Sequence, residues 1–168
     1  MFRPRHILLA VLLGAAMLSL PAAVKPASSD DSVQKRAETE LLSLHKDERH
    51  THFDHDVKFL LAHVAPQLLD VRDGKVNRMS RDDVRVKFDE YFKQAQFSAW
   101  DDVEPPVVGV SADGKMGWMI VRVRIAYTET DASGKKTNQN TVGAWMSAYD
   151  KQNGTWLMTA VTSTFADN

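Results

Sequence analysis

The stretch MGWMIVRVRIAYTE, Met116 to Glu129, decides how the rest of the chain is read. Its alternation places Trp118, Ile120, Arg122, Arg124 and Ala126 on one face and Met119, Val121, Val123, Ile125 and Tyr127 on the other, the two-residue period of a strand. Turn signals at Asp113-Gly114 and Ser133-Gly134 bracket it, so its neighbours in sequence return beside it as antiparallel strands.

Working outward, Lys136 to Tyr149 reads as the returning strand, Asn153-Gly154 as a tight hairpin turn, and Trp156 to Phe165 as the last strand. On the other side, Phe97 to Glu104 is a strand that Pro105-Pro106 breaks, and Val107 to Ser111 is a second piece before the Asp113-Gly114 turn.

Before Gln96 the period changes to that of helices. Val33, Ala37, Leu41, Leu44 and His45 share one face, and after a polar break at Asp47 to Thr51 a second run follows with Phe53, Val57, Leu60, Leu61 and Val64. Pro66 is expected to stop that helix, Gln67 to Arg72 and Lys75 to Arg78 to pair across an Asp73-Gly74 turn, and Ser80-Arg81-Asp82-Asp83 to open a third helix as a capping box. Val84, Phe88, Tyr91 and Phe92 form its apolar stripe. Helices first and hairpins afterwards give an α+β fold with the helices on one face of a curved antiparallel sheet.

The chain has 168 residues and no cysteine, which excludes disulfides, thioether lipidation and thiol catalysis. Residues 1–23 have the form of a signal peptide: Arg3, Arg5 and His6, an uncharged run from Ile7 to Leu20, then Pro21-Ala22-Ala23. The apolar run is short for a membrane span, so cleavage between Ala22 and Ala27 is expected over an uncleaved anchor. This makes the protein exported, periplasmic or secreted, with no membrane span after cleavage, a flexible tail over residues 24–32 and one domain over residues 33–166. Formal charge is −1 and becomes more negative once the leader's arginines are removed. The basic residues Arg72, Lys75, Arg78 and Arg81 alternate with Asp70, Asp73, Asp82 and Asp83, so no nucleic-acid footprint exists.

This order resembles the nuclear transport factor 2-like superfamily, and within it the SnoaL-like branch of small bacterial proteins. The residues carrying the likeness are Leu44-His45, His52-Phe53 and Asp56, the run Val71-Arg72-Asp73-Gly74-Lys75-Val76, Ser80-Arg81, and Asn153-Gly154-Thr155-Trp156. The resemblance implies a cone, a bent sheet wrapped around helices to leave an apolar cavity, and pairing as a homodimer through the sheet. Its members include ketosteroid isomerase, scytalone dehydratase, limonene epoxide hydrolase and polyketide cyclases, so fold alone does not select a reaction. The isomerase pattern is incomplete here: the first helix has no Tyr, no acid stands near Trp145, and Asp70 alone approaches the position of the base. The dehydratase pattern uses histidines on strands, whereas those of the mature chain run from His45 to His63.

Candidate chemistry is therefore read residue by residue. Asp70 among Leu68, Leu69 and Val71 is a candidate pocket acid or base, with a turn-forming role as the alternative. His52 and Asp56, at i and i+4 on a helical face, are a candidate oriented general base, a role that needs a pocket wall within hydrogen-bond reach. His45, Trp100, Arg122, Arg124 and Trp145 are candidate pocket residues, the arginines either facing a ligand carboxylate or pairing with Asp101, Asp102 and Glu104 on the adjacent strand. The histidines do not show ligands converging from separate elements, so no metal and no other cofactor is expected. The leading expectation is a binder of a small apolar or amphipathic molecule, and the alternative is an isomerase, dehydratase or cyclase using an Asp or His base.

Overall fold

A computed structural model describes residues 29–166, so the leader expected over residues 1–23 lies outside the described residues. Helix α1 (Ser29–Asp54) is unbroken through the polar Asp47 to Thr51 segment and begins inside the stretch read as a tail. At His55 the backbone turns left-handed, with φ of 55°, and a short α2 (Val57–Ala62) follows. Asp56 caps α2, its Oδ1 accepting the Phe59 amide at 3.0 Å.

Strand β1 (Val64–Arg72) starts earlier than the proline suggests. Pro66 lies inside it, in the irregular stretch between Val64 and Leu69 where the register with the last strand shifts, a place that tolerates a missing amide hydrogen. Asp73 and Gly74, both at positive φ, turn β1 into β2 (Lys75–Ser80). Helix α3 (Arg81–Gln94) opens with the capping box read from the sequence, Ser80 and Asp83 exchanging side-chain and backbone bonds.

The remaining strands are β3 (Ala95–Asp102), β4 (Val107–Val110), β5 (Met116–Thr130), β6 (Lys136–Gln152) and β7 (Thr155–Ala166). They form one curved, unclosed sheet in the order β2-β1-β7-β6-β5-β3, with β4 also on β5. All pairs are antiparallel except β1 and β7, which run parallel. Register shifts at Phe97/Ala99 and Ala148/Tyr149 add a residue to one strand and bend the sheet around the helices.

The alternation of β5 is observed residue by residue. Met119, Val121, Val123 and Ile125 are buried, and Trp118, Ile120, Arg122 and Arg124 face outward. The buried stripe packs in one cluster with Ala37, Leu41 and Leu44 of α1, and Leu41 is 0% exposed. Burying a leucine so completely contributes about 1.5–3 kcal/mol. Gly117 permits this approach, since a Cβ there would stand 2.7 Å from Leu41 Cδ1. At the far end, Glu40 of α1 accepts hydrogen bonds from Lys151 Nζ and, at 3.0 Å, from Trp156 Nε1, tying the helix to the β6–β7 hairpin.

Candidate functional site

Between the helices and the concave face of the sheet lies a cavity of about 720 Å³. Leu60, Leu68, Val84, Phe88, Trp100 and Trp145 supply much of its apolar wall, with the two indole centroids 5.9 Å apart. Polar residues interrupt this wall, among them Glu90, Gln94, Thr141 and Ser163, and two groupings concern buried groups.

The first lies on α1. His45, Glu48 and His52 fall at i, i+3 and i+7 and continue the stripe of Leu41 and Leu44, so the face that forms the core also presents three titratable groups to the cavity. His52 is 7% exposed and stacks on Trp100 with ring centroids 3.5 Å apart. Its Nδ1 lies 2.9 Å from the Glu48 carbonyl oxygen. A carbonyl can only accept, so Nδ1 carries the proton and a neutral ring keeps Nε2 as an acceptor. Burial pushes this imidazole down to about 4, with the nearby His45 and His55 adding to the effect, and the ring is neutral at pH 7. His45 is fixed differently, its Nε2 being 2.8 Å from Asp102 Oδ1 on β3.

The Glu48 carboxyl lies deep among protein atoms while keeping some surface toward the cavity. Burial, assisted by the charge of Asp47, pushes it up to about 7. On β6, Tyr149 belongs to the core, is 1% exposed and is held well above the usual phenol range by burial and by the Glu48 charge, with a Ser147 side-chain interaction opposing. Ser147 is also 1% exposed and lines the cavity, and its Oγ makes no hydrogen bond of good geometry, although the Tyr149 phenol is near enough to interact with it.

The second grouping is built around one carboxylate. Asp70, 3% exposed, accepts at Oδ1 from Arg72 Nε and Nη2 at 2.9 and 2.8 Å, while Lys87 Nζ of α3 stands 3.7 Å from Oδ2. Burial and the Arg72 charge lower the Lys87 ammonium from its ordinary value, against the pull of Asp70. Sheet register connects the two groupings: Asp70 pairs with Val161, Val161 with Ser147, and Ser147 with Met119. Laterally paired residues point to the same face, so Asp70 and Ser147 stand two strand spacings apart, about 10 Å, on the concave side.

Of the residues singled out from sequence, His45, His52, Asp70, Trp100 and Trp145 line this cavity, and Asp56, Arg122 and Arg124 do not. The His52–Asp56 pairing is corrected. The left-handed turn at His55 ends the helix between them, Asp56 caps α2, and His52 uses the Glu48 carbonyl instead. Arg122 and Arg124 are corrected as pocket residues because the apolar stripe of β5 takes the inner face and leaves them outside. Arg124 Nη2 bonds Asp101 Oδ2 at 3.0 Å, and Arg49 of α1 reaches the other oxygen of the same carboxylate at 2.5 Å. Glu48, Ser147 and Lys87 were not singled out. The spacing from His45 and His52 points to Glu48, and the alternation Trp145, Ser147, Tyr149 points to Ser147, but both signals require knowing which face is inward. A second, smaller hollow beside α1 is lined by Asp47, His50, Thr51, Asp54, Asp56 and Phe59. Among the described residues no group of three or more His, Asp or Glu converges as a metal site. Nor is any described helix long and apolar enough to cross a membrane.

No protein-family model matches the chain, and no curated protein matches it. Solved structures do. A nuclear transport factor 2-like superfamily protein from Salmonella enterica serovar Typhimurium aligns at TM-score 0.63 and 13% identity over 80% of this chain and 94% of its own. A proposed dehydratase of the NTF2-like family from Streptomyces avermitilis aligns at TM-score 0.62 and 11% identity over 80% and 99%. An NTF2-like protein of unknown function from Pseudomonas putida KT2440 aligns at TM-score 0.58 and 15% identity over 77% and 87%. At such identities the likeness is one of fold: the chain has the nuclear transport factor 2-like cone.

Proposed function

We propose that this protein is exported and holds a small, largely apolar or amphipathic molecule in its cone. The observation that carries this reading is the cavity of about 720 Å³, within the size range of small-molecule sites, walled by apolar and aromatic side chains with a few polar groups between them. Trp100 and Trp145 are the natural reporters. Titration with an apolar probe such as naphthalene is expected to change their fluorescence, and Val161→Trp, which fills the cavity from β7, to abolish the change while circular dichroism stays the same. A response that persists in the filled variant places the probe elsewhere and overturns the reading.

A second reading, an enzyme of general acid–base type, is favoured by one specific observation. Glu48 is poised at about 7 and His52 is neutral, so one side of the cavity offers a proton donor and an acceptor near neutral pH. Such an enzyme exchanges the α-protons of a cyclic ketone for deuterium in heavy water and loses the exchange in Glu48→Gln; exchange no faster than in buffer sinks it. Homodimer formation belongs to the same proposal. Val107, Trp118, Ile120 and Met146 form an exposed apolar patch on the convex face, where Ile120 pairs with Val107 and Met146. A monomer by sedimentation at micromolar concentration removes that part alone.

A further inference from the structure

Three polar groups of the first grouping, two on α1 and one on β6, can each accept a hydrogen bond from a ligand. His52 has spent its one ring proton on the Glu48 carbonyl, which leaves Nε2 as a lone-pair acceptor. Ser147 Oγ, 1% exposed, has no partner in hydrogen-bond geometry even though the Tyr149 phenol is close by. Buried hydroxyls are normally bonded, and one left free on a cavity wall costs stability unless something that enters the cavity meets it. The Glu48 carboxylate is the third acceptor.

Among the described residues the basic side chains lining the cavity, Arg72 and Lys87, stand at the other grouping, where they share the one Asp70 carboxylate, and His45 is taken by Asp102. An anionic head placed beside Glu48 would meet that carboxylate and the His52 lone pair, with the Ser147 hydroxyl as its one donor and the Arg72 and Lys87 charges at the other grouping.

We infer that the cavity takes a molecule whose buried end is a hydrogen-bond donor, an alcohol or an amine on an apolar body, received by Ser147 Oγ, His52 Nε2 and the Glu48 carboxylate, in preference to a carboxylate at that end. This rests on the binding reading above and narrows it to a ligand class. The donor is the shared chemistry, and the two sources differ in charge. An ammonium depends on the Glu48 anion, whereas a hydroxyl is satisfied by Ser147 and His52 as well.

Calorimetric titration of the described protein at pH 7.5 with naphthalene, 2-naphthol, 2-naphthylmethylamine and 2-naphthoate separates the outcomes. At least one of naphthol and the amine is expected to bind about tenfold or more tighter than naphthoate, the worth of one well-made buried hydrogen bond. Ser147→Ala is expected to weaken naphthol several-fold and leave naphthalene unchanged. Glu48→Gln is expected to reduce the amine selectively. Naphthoate binding as tightly as naphthol and the amine, or a donor preference that survives in both Ser147→Ala and His52→Phe, overturns the inference while leaving the cavity a binding site. Failure of all four probes, naphthalene included, overturns the binding reading and this one with it.

Discussion

The Asp70 and Glu48 groupings line one cavity, and they are built in opposite ways. Asp70 is nearly inaccessible, yet Arg72 bonds it twice and Lys87 stands beside it, so burial is matched by charge. Half-buried Glu48 and buried Ser147 lack comparable partners, and the one polar contact made by the His52 side chain goes to a backbone carbonyl. Buried polar atoms that are paired hold a fold in register, whereas those left unpaired cost stability and are retained where a ligand satisfies them. The difference supports reading the Asp70 grouping as structural and the Glu48 grouping as the place where the proposed ligand would be received.

The contrast is most open to attack at Asp70. Asp70→Asn is expected to lose about 3 kcal/mol in urea unfolding, at the lower end for a broken buried pair because Arg72 and Lys87 remain partly hydrated. A change under 1 kcal/mol would put the two groupings on the same footing.

Glu48→Gln is expected to act in the opposite direction. The folded-state value of about 7 lies above the ordinary 4.5, so between those values the folded chain keeps a proton that the unfolded chain has released. Stability therefore falls as pH rises through that window and is level above it. Gln removes this penalty, giving a gain on the order of 2 kcal/mol at pH 8 that vanishes at pH 4.5. The groups facing Glu48 include Asp47 and Tyr149, with His45 and His52 on the same helix. His52 has the reverse sign: its lowered value makes stability fall as pH drops from 6.5 toward 4, and this slope stands out more clearly in the Gln variant. Denaturant midpoints from pH 4.5 to 8 measure both.

Glu40→Gln tests a paired carboxylate outside the cavity. The Lys151 hydrogen bond, with help from Trp156, holds Glu40 below its ordinary value. Its contribution is present above about 4.5 and is lost as pH falls through the folded value. A loss of about 1 kcal/mol at pH 7, shrinking in acid, is expected. The smallest effect belongs to Ser147→Ala, which removes an unbonded hydroxyl and is expected to leave stability within about 0.5–1 kcal/mol of wild type, or slightly higher. A loss above 2 kcal/mol would reveal a bond to Ser147 and remove it from the binding face.

Local periodicity carried much of the fold. The β5 alternation, the Ser80–Asp83 capping box and the Asp73-Gly74 and Asn153-Gly154 turns are legible because each depends on neighbours a few residues away. The end of α1 was not, because Phe53, Val57, Leu60, Leu61 and Val64 fit helical spacing while a single left-handed residue, His55, interrupts it. Pro66 marked a real boundary but stands inside the following strand. The parallel pairing of β1 with β7 has no local signature at all. For the site, His45, His52 and Asp70 stood out by residue type, whereas Ser147 and Glu48 become candidates once the inward faces of β6 and α1 are known. Arg122 and Arg124 show the converse: two unusual charges on a central strand drew attention and proved to face outward.

Strand β7 lies between β1 and β6, and it joins Val64 to Met158 across the length of the domain. The twelve residues of β7 are thus the keystone between the first hairpin and the strands that follow it. The sheet cannot be finished until β7 is available, and without Thr155–Ala166 it would be left as two fragments with no shared seam.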